Sequence, residues 1–401
     1  MNSEPEQRLL FTNARVFSPA GTWKTGWLLT EGRRIKLMAP GHPPEFPAGY
    51  VSQAIDGAGL NLIPGFVDLH AHGGVGVEAM DADVAGLREV ARFYARHGVT
   101  AYLPTTWTAS REAITEALHA IAEAKGRVPG GATILGAHLE GPYLNPKNAG
   151  AQDPNFIRVV ERDEALEFLD AGIIRRVTLA PEFEESRWLV SECARRGIAV
   201  SAGHTSCSYE QMVEAASHGL QHVTHCFNAM GVLNHRQPGT VGAALGLPEI
   251  SCEIIADNVH VHPLVMKLLV DVKGPGGVIL ITDAIRWAGS KDGTYHLDHR
   301  EVVMRDGAVR LPDGTLAGST LTMNRALQNI SKATGRDLTE LWPVSSLNAA
   351  RATGVSDTKG SLEVGKHADL VLLDGDFNVS MTIAEGEVVY SSIAGHVSFA
   401  S

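Results

Sequence analysis

The chain has 401 residues and a formal net charge of −11, because 45 acidic residues outnumber 34 basic ones. This length exceeds that of a typical domain, so we expect a large domain with a smaller companion. An acidic surface repels phosphate backbones and anionic lipids, which argues against nucleic-acid and membrane partners. Four cysteines without a CxxC pair and a polar N-terminal sequence without an apolar signal segment predict a cytoplasmic protein.

The two ends of the chain share one pattern, in which short strands are separated by Gly, Asn and Asp turns. Strands are predicted at residues 9–15, 27–37, 51–56, 370–374 and 387–392. Neither end carries enough apolar residues for a core of its own. We therefore expect residues 1–60 and 357–401 to pair into one small β-sandwich domain.

Between these ends the chain repeats a short apolar run, a loop and an amphipathic helix. Eight strands are predicted, at residues 62–70, 100–105, 133–140, 177–180, 198–204, 222–227, 251–257 and 278–283. Helices are predicted between them, at residues 82–97, 110–125, 161–171, 184–196 and 208–218. The strands are apolar on both faces, as in parallel strands covered by helices. Eight alternations over about 220 residues predict an α/β fold, a (β/α)8 TIM-like barrel at residues 61–356.

An open, doubly wound sheet is the alternative for this region. Such sheets usually carry a GxGxxG turn after the first strand, and that motif is absent there. A hairpin is also predicted at residues 295–311, with a turn at Asp306 and Gly307. It interrupts the barrel near residues 290–312, after the eighth strand.

Six ionisable residues fall at the carboxyl ends of five predicted barrel strands. They are His70 and His72 for strand one, Glu140 for strand three, His204 for strand five, His225 for strand six and Asp283 for strand eight. Barrels of this type carry their chemistry at that rim, so a closed barrel would bring these distant residues together. His70 and His72 are two positions apart on a strand, so their imidazoles project to the same side.

This set of side chains predicts a metal centre, because imidazoles and carboxylates suit Zn²⁺ or Fe²⁺, with Mn²⁺ or Co²⁺ as alternatives. Glu140 has two carboxylate oxygens and could bridge two ions. The first ion would be held with His70, His72 and Asp283, and the second with His204 and His225. A bound cation lowers the pKa of its water to about 7, and Asp283 could pass the released proton to a leaving amine. Each residue alone could be structural, but six at one rim favour the metal site.

The same pattern resembles the amidohydrolase superfamily, which combines a strand-one HxH motif, a strand-three Glu, His residues after strands five and six, and a strand-eight Asp. Local sequences narrow the resemblance to the N-acetylglucosamine-6-phosphate deacetylase family. They include HLEGPYLNPKNAGAQ at 138–152, SAGHTSCSYEQM at 201–212, THCFNAM at 224–230, IIADNVHV at 254–261 and LAGSTLTM at 316–323. The likeness extends to NARVFSP and GKHADLVLLDGD in the terminal segments, so it covers nearly the whole chain.

The resemblance implies that N-acetylglucosamine 6-phosphate and water give glucosamine 6-phosphate and acetate. It also implies that Glu140, His204 and His225 bind metal and that Asp283 is the catalytic acid and base. The substrate contacts that it implies are Ala151, Gln152, Asn228, Ala229, Asp257, Leu316, Ala317 and Gly318. Arg236 and His260 would hold the phosphate, and a guanidinium fork matches phosphate geometry. A homodimer is expected, with part of this phosphate clamp crossing the subunit interface.

Two positions vary within this family. Some members lack the HxH histidines and use one metal, whereas His70 and His72 leave a second metal site open here. Several members have a His where this chain has Gln152. A Gln can position substrate but cannot take up a proton.

Other functions remain as alternatives. One is deacetylation of another N-acetyl amino sugar, either the galactosamine epimer or a sugar without phosphate. Another is the hydrolysis of cyclic amides or the deamination of nucleobases, although the metal-bridging Lys that cyclic amidases usually carry after strand four is missing from VTLAPE at 177–182. A third is a catalytically silent barrel that serves as a scaffold or as a sensor of sugar phosphates.

Overall fold

The computed structural model describes residues 6–297, 300–392 and 397–399. Residues 1–5, 393–396 and 400–401 of the predicted terminal segments, and residues 298–299 of the predicted hairpin, lie outside the described residues. None of the described helices combines the length and the hydrophobicity that crossing a lipid bilayer requires. All four cysteines are buried and free.

Eight parallel strands form a TIM-like barrel. Their bounds are Phe66–Ala71, Val99–Pro104, Ala137–Glu140, Ile174–Leu179, Ala199–Ala202, His222–Val223, Ser251–Ile255 and Val278–Ile281. The first two strands pair with each other, and the third to the eighth form a second arc. Backbone bridges between Thr105 and His138, and between Ala71 and Ala284, join the two arcs. The predicted barrel is confirmed, and the doubly wound alternative is wrong because the ring of strands closes.

Helices follow the barrel strands along the chain. Their bounds are Val84–Ala95, Arg111–Ala124, Arg162–Asp170, Glu184–Arg195, Tyr209–Ser217, Gly239–Gly246, Pro263–Lys273, Met323–Thr334, Leu338–Leu341 and Leu347–Ala352. Side chains of Asp83 and Ser110 cap the first two helices, and Ser208 forms a capping box with Gln211. Such caps satisfy backbone N–H groups that have no partner within the helix. The helices predicted from sequence agree with the structure to within about two residues at each end.

The strands at the centre of the barrel are buried on both faces. Phe66–Ala71 and Val99–Pro104 are buried at every position, as expected for parallel strands between a packed interior and outer helices. Fully buried ionisable residues of the barrel strands include Arg176 on the fourth strand and Glu253 on the seventh. Buried charges of this kind need partners.

The two ends of the chain form one nine-stranded sheet. Its strands are Leu9–Ser18, Gly21–Glu31, Arg34–Pro40, Gln53–Asp56, Asn61–Pro64, Leu370–Leu373, Val379–Ala384, Glu387–Ser391 and Val397–Phe399. The two ends meet where Leu370–Leu373 pairs antiparallel with Asn61–Pro64. A separate cluster of buried apolar side chains packs on this sheet. All nine strands share one hydrogen-bonded sheet, so the β-sandwich domain and its limits at residues 60 and 357 stay predictions.

Three strands predicted from sequence are divided in the structure. The predicted strand 133–140 becomes Thr133–Ile134, which pairs with the second barrel strand, and Ala137–Glu140. The predicted strand 62–70 breaks at Gly65 into Asn61–Pro64, in the terminal sheet, and Phe66–Ala71, in the barrel. A Cβ at Gly65 would lie 2.2 Å from Cγ2 of Thr100, so only glycine permits this close packing. The predicted strand 27–37 turns back at Gly32, whose φ of 54° lies in the region that favours glycine.

A four-stranded antiparallel sheet is inserted after the eighth barrel strand. Its strands are Gly293–Leu297, Arg300–Arg305, Ala308–Arg310 and Leu316–Ser319. The predicted hairpin and its turn at Asp306 and Gly307 are present, and the last strand extends the insertion. A bridge between Ser319 and Ala284 returns this strand to the barrel, at the rim where the eighth barrel strand ends.

Candidate metal centre and substrate cavity

Six buried side chains converge at the carboxyl-end rim of the barrel. They are His70, His72, Glu140, His204, His225 and Asp283. The first two lie at the end of the first strand, and Glu140 is the last residue of the third. The other three each lie two residues beyond the fifth, sixth and eighth strands. The structure thus brings all six predicted metal ligands together.

Glu140 lies at the middle of this group. Its Oε1 is 3.4 Å from Nε2 of His70, 3.4 Å from Nε2 of His204 and 3.3 Å from Nε2 of His225. Its Oε2 is 3.3 Å from Nε2 of His72. Burial raises the pKa of Glu140, but the histidines outweigh this effect and hold the pKa well below its usual range. The side chain is therefore an ionised carboxylate.

Glu140 belongs to two sets of donors. The first donor group consists of His70, His72 and Glu140, and the second consists of Glu140, His204 and His225. Within each group the donor atoms lie within 4.8 Å of one another. A carboxylate shared by two such groups can bridge two cations.

Asp283 adjoins the first donor group. Its Oδ1 is 3.4 Å from Nε2 of His70 and 3.3 Å from Nε2 of His72. Burial raises the pKa of the Asp283 carboxyl, but His70 and His72 outweigh this effect, and the pKa lies below its ordinary value. Asp283 is therefore held as a carboxylate that can accept a proton.

The donor atoms fit a divalent cation. Donors at about 2.0–2.1 Å from a tetrahedral Zn²⁺ lie roughly 3.3–3.4 Å from one another, and the contacts of Glu140 and Asp283 with the histidines span 3.3–3.4 Å. Nε2 of His70 and Oε1 of Glu140 are buried and have no hydrogen-bond partner among the described residues. Such atoms are costly unless a ligand satisfies them. The geometry therefore suits a bound metal.

Backbone carbonyls orient two of the histidines. Nδ1 of His72 is 3.2 Å from the carbonyl oxygen of Thr105, and Nδ1 of His204 is 2.9 Å from that of Asn148. A carbonyl oxygen can only accept, so each Nδ1 carries the hydrogen. In the neutral imidazole, Nε2 then has the lone pair that metal binding requires.

Three of the six residues adopt a left-handed backbone conformation. The φ angles are 47° at His204, 30° at His225 and 49° at Asp283. This region costs a non-glycine residue on the order of 1–3 kcal/mol, and such residues cluster at functional sites. The conformation occurs where each strand passes into its loop, and it holds these side chains at the rim.

A cavity of about 250 Å³ adjoins the two donor groups. Seven of the predicted substrate contacts line it: Ala151, Gln152, Asn228, Ala229, His260, Leu316 and Gly318. Leu316 and Gly318 reach the cavity from the last strand of the inserted sheet. Ala317, between them, is instead buried in the core of that sheet, because alternate residues of a strand face opposite sides.

Two further predicted contacts also lie outside the cavity lining. Oδ2 of Asp257 is 2.6 Å from Nδ1 of His260, so Asp257 orients the His260 imidazole. Arg236 is exposed and lines a separate surface depression together with Asn234 and Gln237. Within one chain, therefore, Arg236 does not join the metal centre.

The profile of the amidohydrolase family matches residues 61–389. The chain belongs to the amidohydrolase family. N-acetylglucosamine-6-phosphate deacetylase from Bacillus subtilis (strain 168) is 36% identical over 391 residues, which cover 96% of this chain and 98% of that protein. N-acetylgalactosamine-6-phosphate deacetylase from Escherichia coli O157:H7 is 39% identical over 329 residues, 82% of this chain and 87% of that protein.

A solved amidohydrolase structure gives the same result. The crystal structure of N-acetylglucosamine-6-phosphate deacetylase from Thermotoga maritima is similar to this fold with a TM-score of 0.85 and 37% sequence identity. The match covers 96% of this chain and 100% of that chain. The resemblance stated from the sequence motifs is confirmed.

In this amidohydrolase Gln152 not only lines the cavity but also forms two hydrogen bonds within the protein. Its Oε1 accepts a hydrogen bond from the Thr108 backbone N–H at 2.7 Å, and its Nε2 donates to Oε2 of Glu140 at 2.7 Å. The Thr108 N–H can only donate, which assigns the amide orientation. Gln152 therefore positions the Glu140 carboxylate, a role that the sequence analysis did not predict.

Two residues of this amidohydrolase site were not predicted from the sequence. The Trp107 ring lines the cavity and stacks on the His72 imidazole, with centroids 3.9 Å apart and planes at 16°. Glu253 contacts His70 from inside the barrel. A signal existed for Glu253, because a Glu within the otherwise apolar strand CEII is rarely buried without a partner. Trp107 follows the second barrel strand, and no sequence motif around it indicates a role in the site.

Proposed function

We propose that the protein is a metal-dependent deacetylase that hydrolyses N-acetylglucosamine 6-phosphate to glucosamine 6-phosphate and acetate. The observation that carries this proposal is the convergence of two donor groups beside a cavity lined by the expected sugar contacts. The names of the Bacillus subtilis and Thermotoga maritima relatives support the choice of substrate.

The metal centre would hold one or two divalent cations. Its ligands would be His70, His72, Glu140, His204, His225 and Asp283. When bound, the cation supplies Lewis-acid chemistry, which polarises a carbonyl oxygen and makes a water acidic near neutral pH. The imidazole and carboxylate donors favour Zn²⁺ or Fe²⁺, with Mn²⁺ or Co²⁺ as alternatives.

Asp283 moves the proton in the proposed reaction. Its carboxylate takes a proton from the attacking water and returns it to the amide nitrogen as the C–N bond breaks. The water oxygen ends on the acetyl carbon, and the amino sugar leaves as the free amine. Asp283 suits both steps because it is buried beside the first donor group and ionised.

The substrate lies against the loops that follow strands six and seven and against the inserted sheet. Asn228, Ala229 and Leu316 line the cavity on the sugar side in this proposal. His260, which Asp257 orients, faces the phosphate. A dianionic substrate needs a cationic group in an acidic protein, and Arg236 is the proposed guanidinium.

We further propose a homodimer in which Arg236 serves the cavity of the other subunit. Arg236 is exposed and apart from the cavity of its own chain. Leu264, Leu268 and Val272 are exposed at four-residue spacing on the helix Pro263–Lys273, so they form one apolar stripe. A contiguous apolar surface of this kind is typical of a protein–protein contact.

A subunit-complementation experiment tests the shared site. R236M and D283N chains with different tags are co-expressed, and the heterodimer is isolated by two affinity steps. Each homodimer should be nearly inactive, whereas the heterodimer should regain about half of the wild-type activity, because one of its two symmetric sites is intact. An inactive heterodimer would overturn the sharing of Arg236, and a monomer in solution would overturn the dimer.

A substrate panel tests the reaction itself. Acetate release is measured for N-acetylglucosamine, N-acetylgalactosamine and N-acetylmannosamine, each with and without a 6-phosphate. The highest kcat/KM is expected for N-acetylglucosamine 6-phosphate. Release of ammonia instead of acetate would indicate a deaminase, and zinc-loaded protein that is inactive on the whole panel would contradict the proposal.

N-acetylgalactosamine 6-phosphate is the second candidate substrate. The observation that favours it is the 39% identity to the Escherichia coli O157:H7 relative that is named for this epimer. The two sugars differ only in the orientation of one hydroxyl. The ratio of their kcat/KM values in the same panel decides between them.

A further inference from the structure

Glu253 connects the barrel interior to both donor groups. It lies on the seventh barrel strand, Ser251–Ile255, and is fully buried. Its Oε2 is 3.2 Å from Nδ1 of His70 and accepts a hydrogen bond from the His225 backbone N–H at 3.3 Å. One carboxylate oxygen therefore contacts a histidine of each donor group.

Arg176 gives Glu253 a buried counter-charge. It lies on the fourth barrel strand, is fully buried, and forms an ion pair with Oε1 of Glu253 through Nη2. A lone charge in the barrel interior would be strongly unfavourable. The pairing with Arg176 therefore allows Glu253 to remain a carboxylate next to His70.

The carboxylate determines which ring nitrogen of His70 faces the metal centre. An ionised carboxylate can only accept, so Nδ1 of His70 carries a hydrogen, and in the neutral imidazole that binds a metal Nε2 is the nitrogen with the lone pair. That Nε2 is 3.4 Å from both Glu140 Oε1 and Asp283 Oδ1, and no described residue forms a hydrogen bond with it. The lone pair thus points to the position expected for a cation.

The group that accepts a hydrogen bond from Nδ1 of His70 is a carboxylate, which differs in charge from the acceptors of His72 and His204. Both of those histidines face neutral backbone carbonyls, at Thr105 and Asn148. A charged acceptor makes an imidazole a stronger ligand than a neutral carbonyl does. The contact with Glu253 therefore favours cation binding at the first donor group.

We propose that Glu253 is a positioning residue that holds His70 for cation binding, with Arg176 as the counter-ion that permits a carboxylate at this depth. The effect is on the affinity of the first donor group for a divalent cation. This inference rests on the metal centre of the proposed function but not on the identity of the substrate.

Three variants separate positioning from charge balance. E253Q removes the carboxylate but leaves Arg176 unpaired in the interior. R176M/E253Q removes both charges, so no lone buried charge remains. R176M keeps the carboxylate without its counter-ion. The zinc affinities of the double variant and the two single variants are compared. The double variant lacks the contact with His70 but has no unbalanced buried charge, so the comparison separates these two effects on affinity.

Zinc affinity is the main measurement. Apoprotein of each variant is titrated with Zn²⁺ against a chromogenic chelator, and folding is checked by circular dichroism. The double variant R176M/E253Q is expected to bind one Zn²⁺ on the order of 10–100-fold more weakly than the wild type. Affinity at the second donor group should change less, because a backbone carbonyl still orients His204.

Asp369→Asn is the matched control. Asp369 is also a buried carboxylate, but its cation is Lys359, outside the metal centre. This variant should lower the thermal stability and leave zinc affinity unchanged.

Two results would overturn the inference. One is wild-type zinc affinity in R176M/E253Q. The other is weak binding in E253Q that the double variant restores, because the unbalanced charge would then be the cause. Wild-type protein that binds zinc but releases no acetate would instead refute the proposed substrate alone.

Discussion

Two regions with buried charged side chains differ in how those charges are satisfied. One region is the metal centre, and the other is the Lys359 cluster, which consists of Lys359, Asp369 and Glu385 at the contact between the terminal sheet and the barrel. In the Lys359 cluster, Nζ of Lys359 is 2.8 Å from Oδ2 of Asp369 and 2.9 Å from Oε1 of Glu385. Thr133, beside the second barrel strand, also donates to Glu385 at 3.0 Å.

The metal centre differs in how its polar atoms are satisfied. Nε2 of His70 and Oε1 of Glu140 are buried and, among the described residues, have no hydrogen-bond partner. In the Lys359 cluster the opposite charges satisfy one another within the protein. Burial of charge alone therefore does not mark a functional site. Converging donor atoms that the protein leaves without partners indicate where a ligand binds.

The largest effect is expected for Asp283→Asn. The change keeps the size and one side-chain oxygen but removes the group that carries the proton. We expect kcat to fall on the order of 10²–10⁴-fold while zinc content stays near the wild-type value. Acetate release and metal analysis by mass spectrometry measure the two quantities. Retained turnover in this variant would refute the role of Asp283.

Lys359→Met tests the other region. It leaves the Asp369 carboxylate buried without its cation and leaves Glu385 with Arg33 as its close cation, so the free energy of unfolding should fall by about 3–5 kcal/mol. Urea denaturation measures this loss. The kcat/KM of the folded variant should equal that of the wild type, and a lower value would show that the Lys359 cluster also serves the reaction.

Removal of the metal should affect stability as well as activity. A cation that binds only the folded protein stabilises it by about 2.7 kcal/mol at 100 times its Kd. Chelated protein should therefore melt at a lower temperature and recover both stability and activity with Zn²⁺. Zn²⁺ should stabilise Lys359→Met by the same amount as the wild type, because the metal centre and the Lys359 cluster share no interacting residue. Unequal increments would show that the regions are coupled.

The smallest effect is a pH dependence of stability from the Lys359 cluster. Burial raises the pKa of Glu385, but His367 and Lys359 outweigh this effect and hold the pKa below its ordinary value of 4.5. The folded protein therefore binds this proton less readily than the unfolded chain does. The resulting stabilisation is present above pH 4.5 and is lost as the pH falls further.

Urea denaturation of chelated wild type and of Lys359→Met, at pH values from 7 to below 4.5, measures this effect. Chelated protein is used so that release of the metal does not contribute. The wild type should lose more of its unfolding free energy in acid than the variant does. Parallel curves for the two proteins would contradict the assignment to Glu385.

The barrel and the metal ligands could be predicted from sequence because both depend on local pattern. Apolar runs such as the one at Val278–Ile281 are typical of parallel strands that are buried on both faces. The closure of the barrel then brings strand ends together, so residues such as Glu140 and Asp283 are located once the strands are known.

Other features depend on contacts between distant parts of the chain. Arg176 and Glu253 meet across the barrel interior, and neither residue belongs to a local motif. Trp107 stacks on His72 through the packing of one loop on another strand end. The position of Arg236, outside the cavity of its own chain, likewise follows from the path of a loop.

The inserted sheet borders the cavity but contributes none of the six residues of the metal centre. Its residues Val302, Met304 and Val309 pack in a small core of their own, apart from the main core of the barrel. Its last strand nevertheless contributes Leu316 and Gly318 to the cavity. Ala151 of the cavity wall belongs to the same small core, and Trp107, which stacks on His72, packs against it. The inserted sheet thus supplies part of the cavity wall, whereas the six side chains of the metal centre come from the barrel.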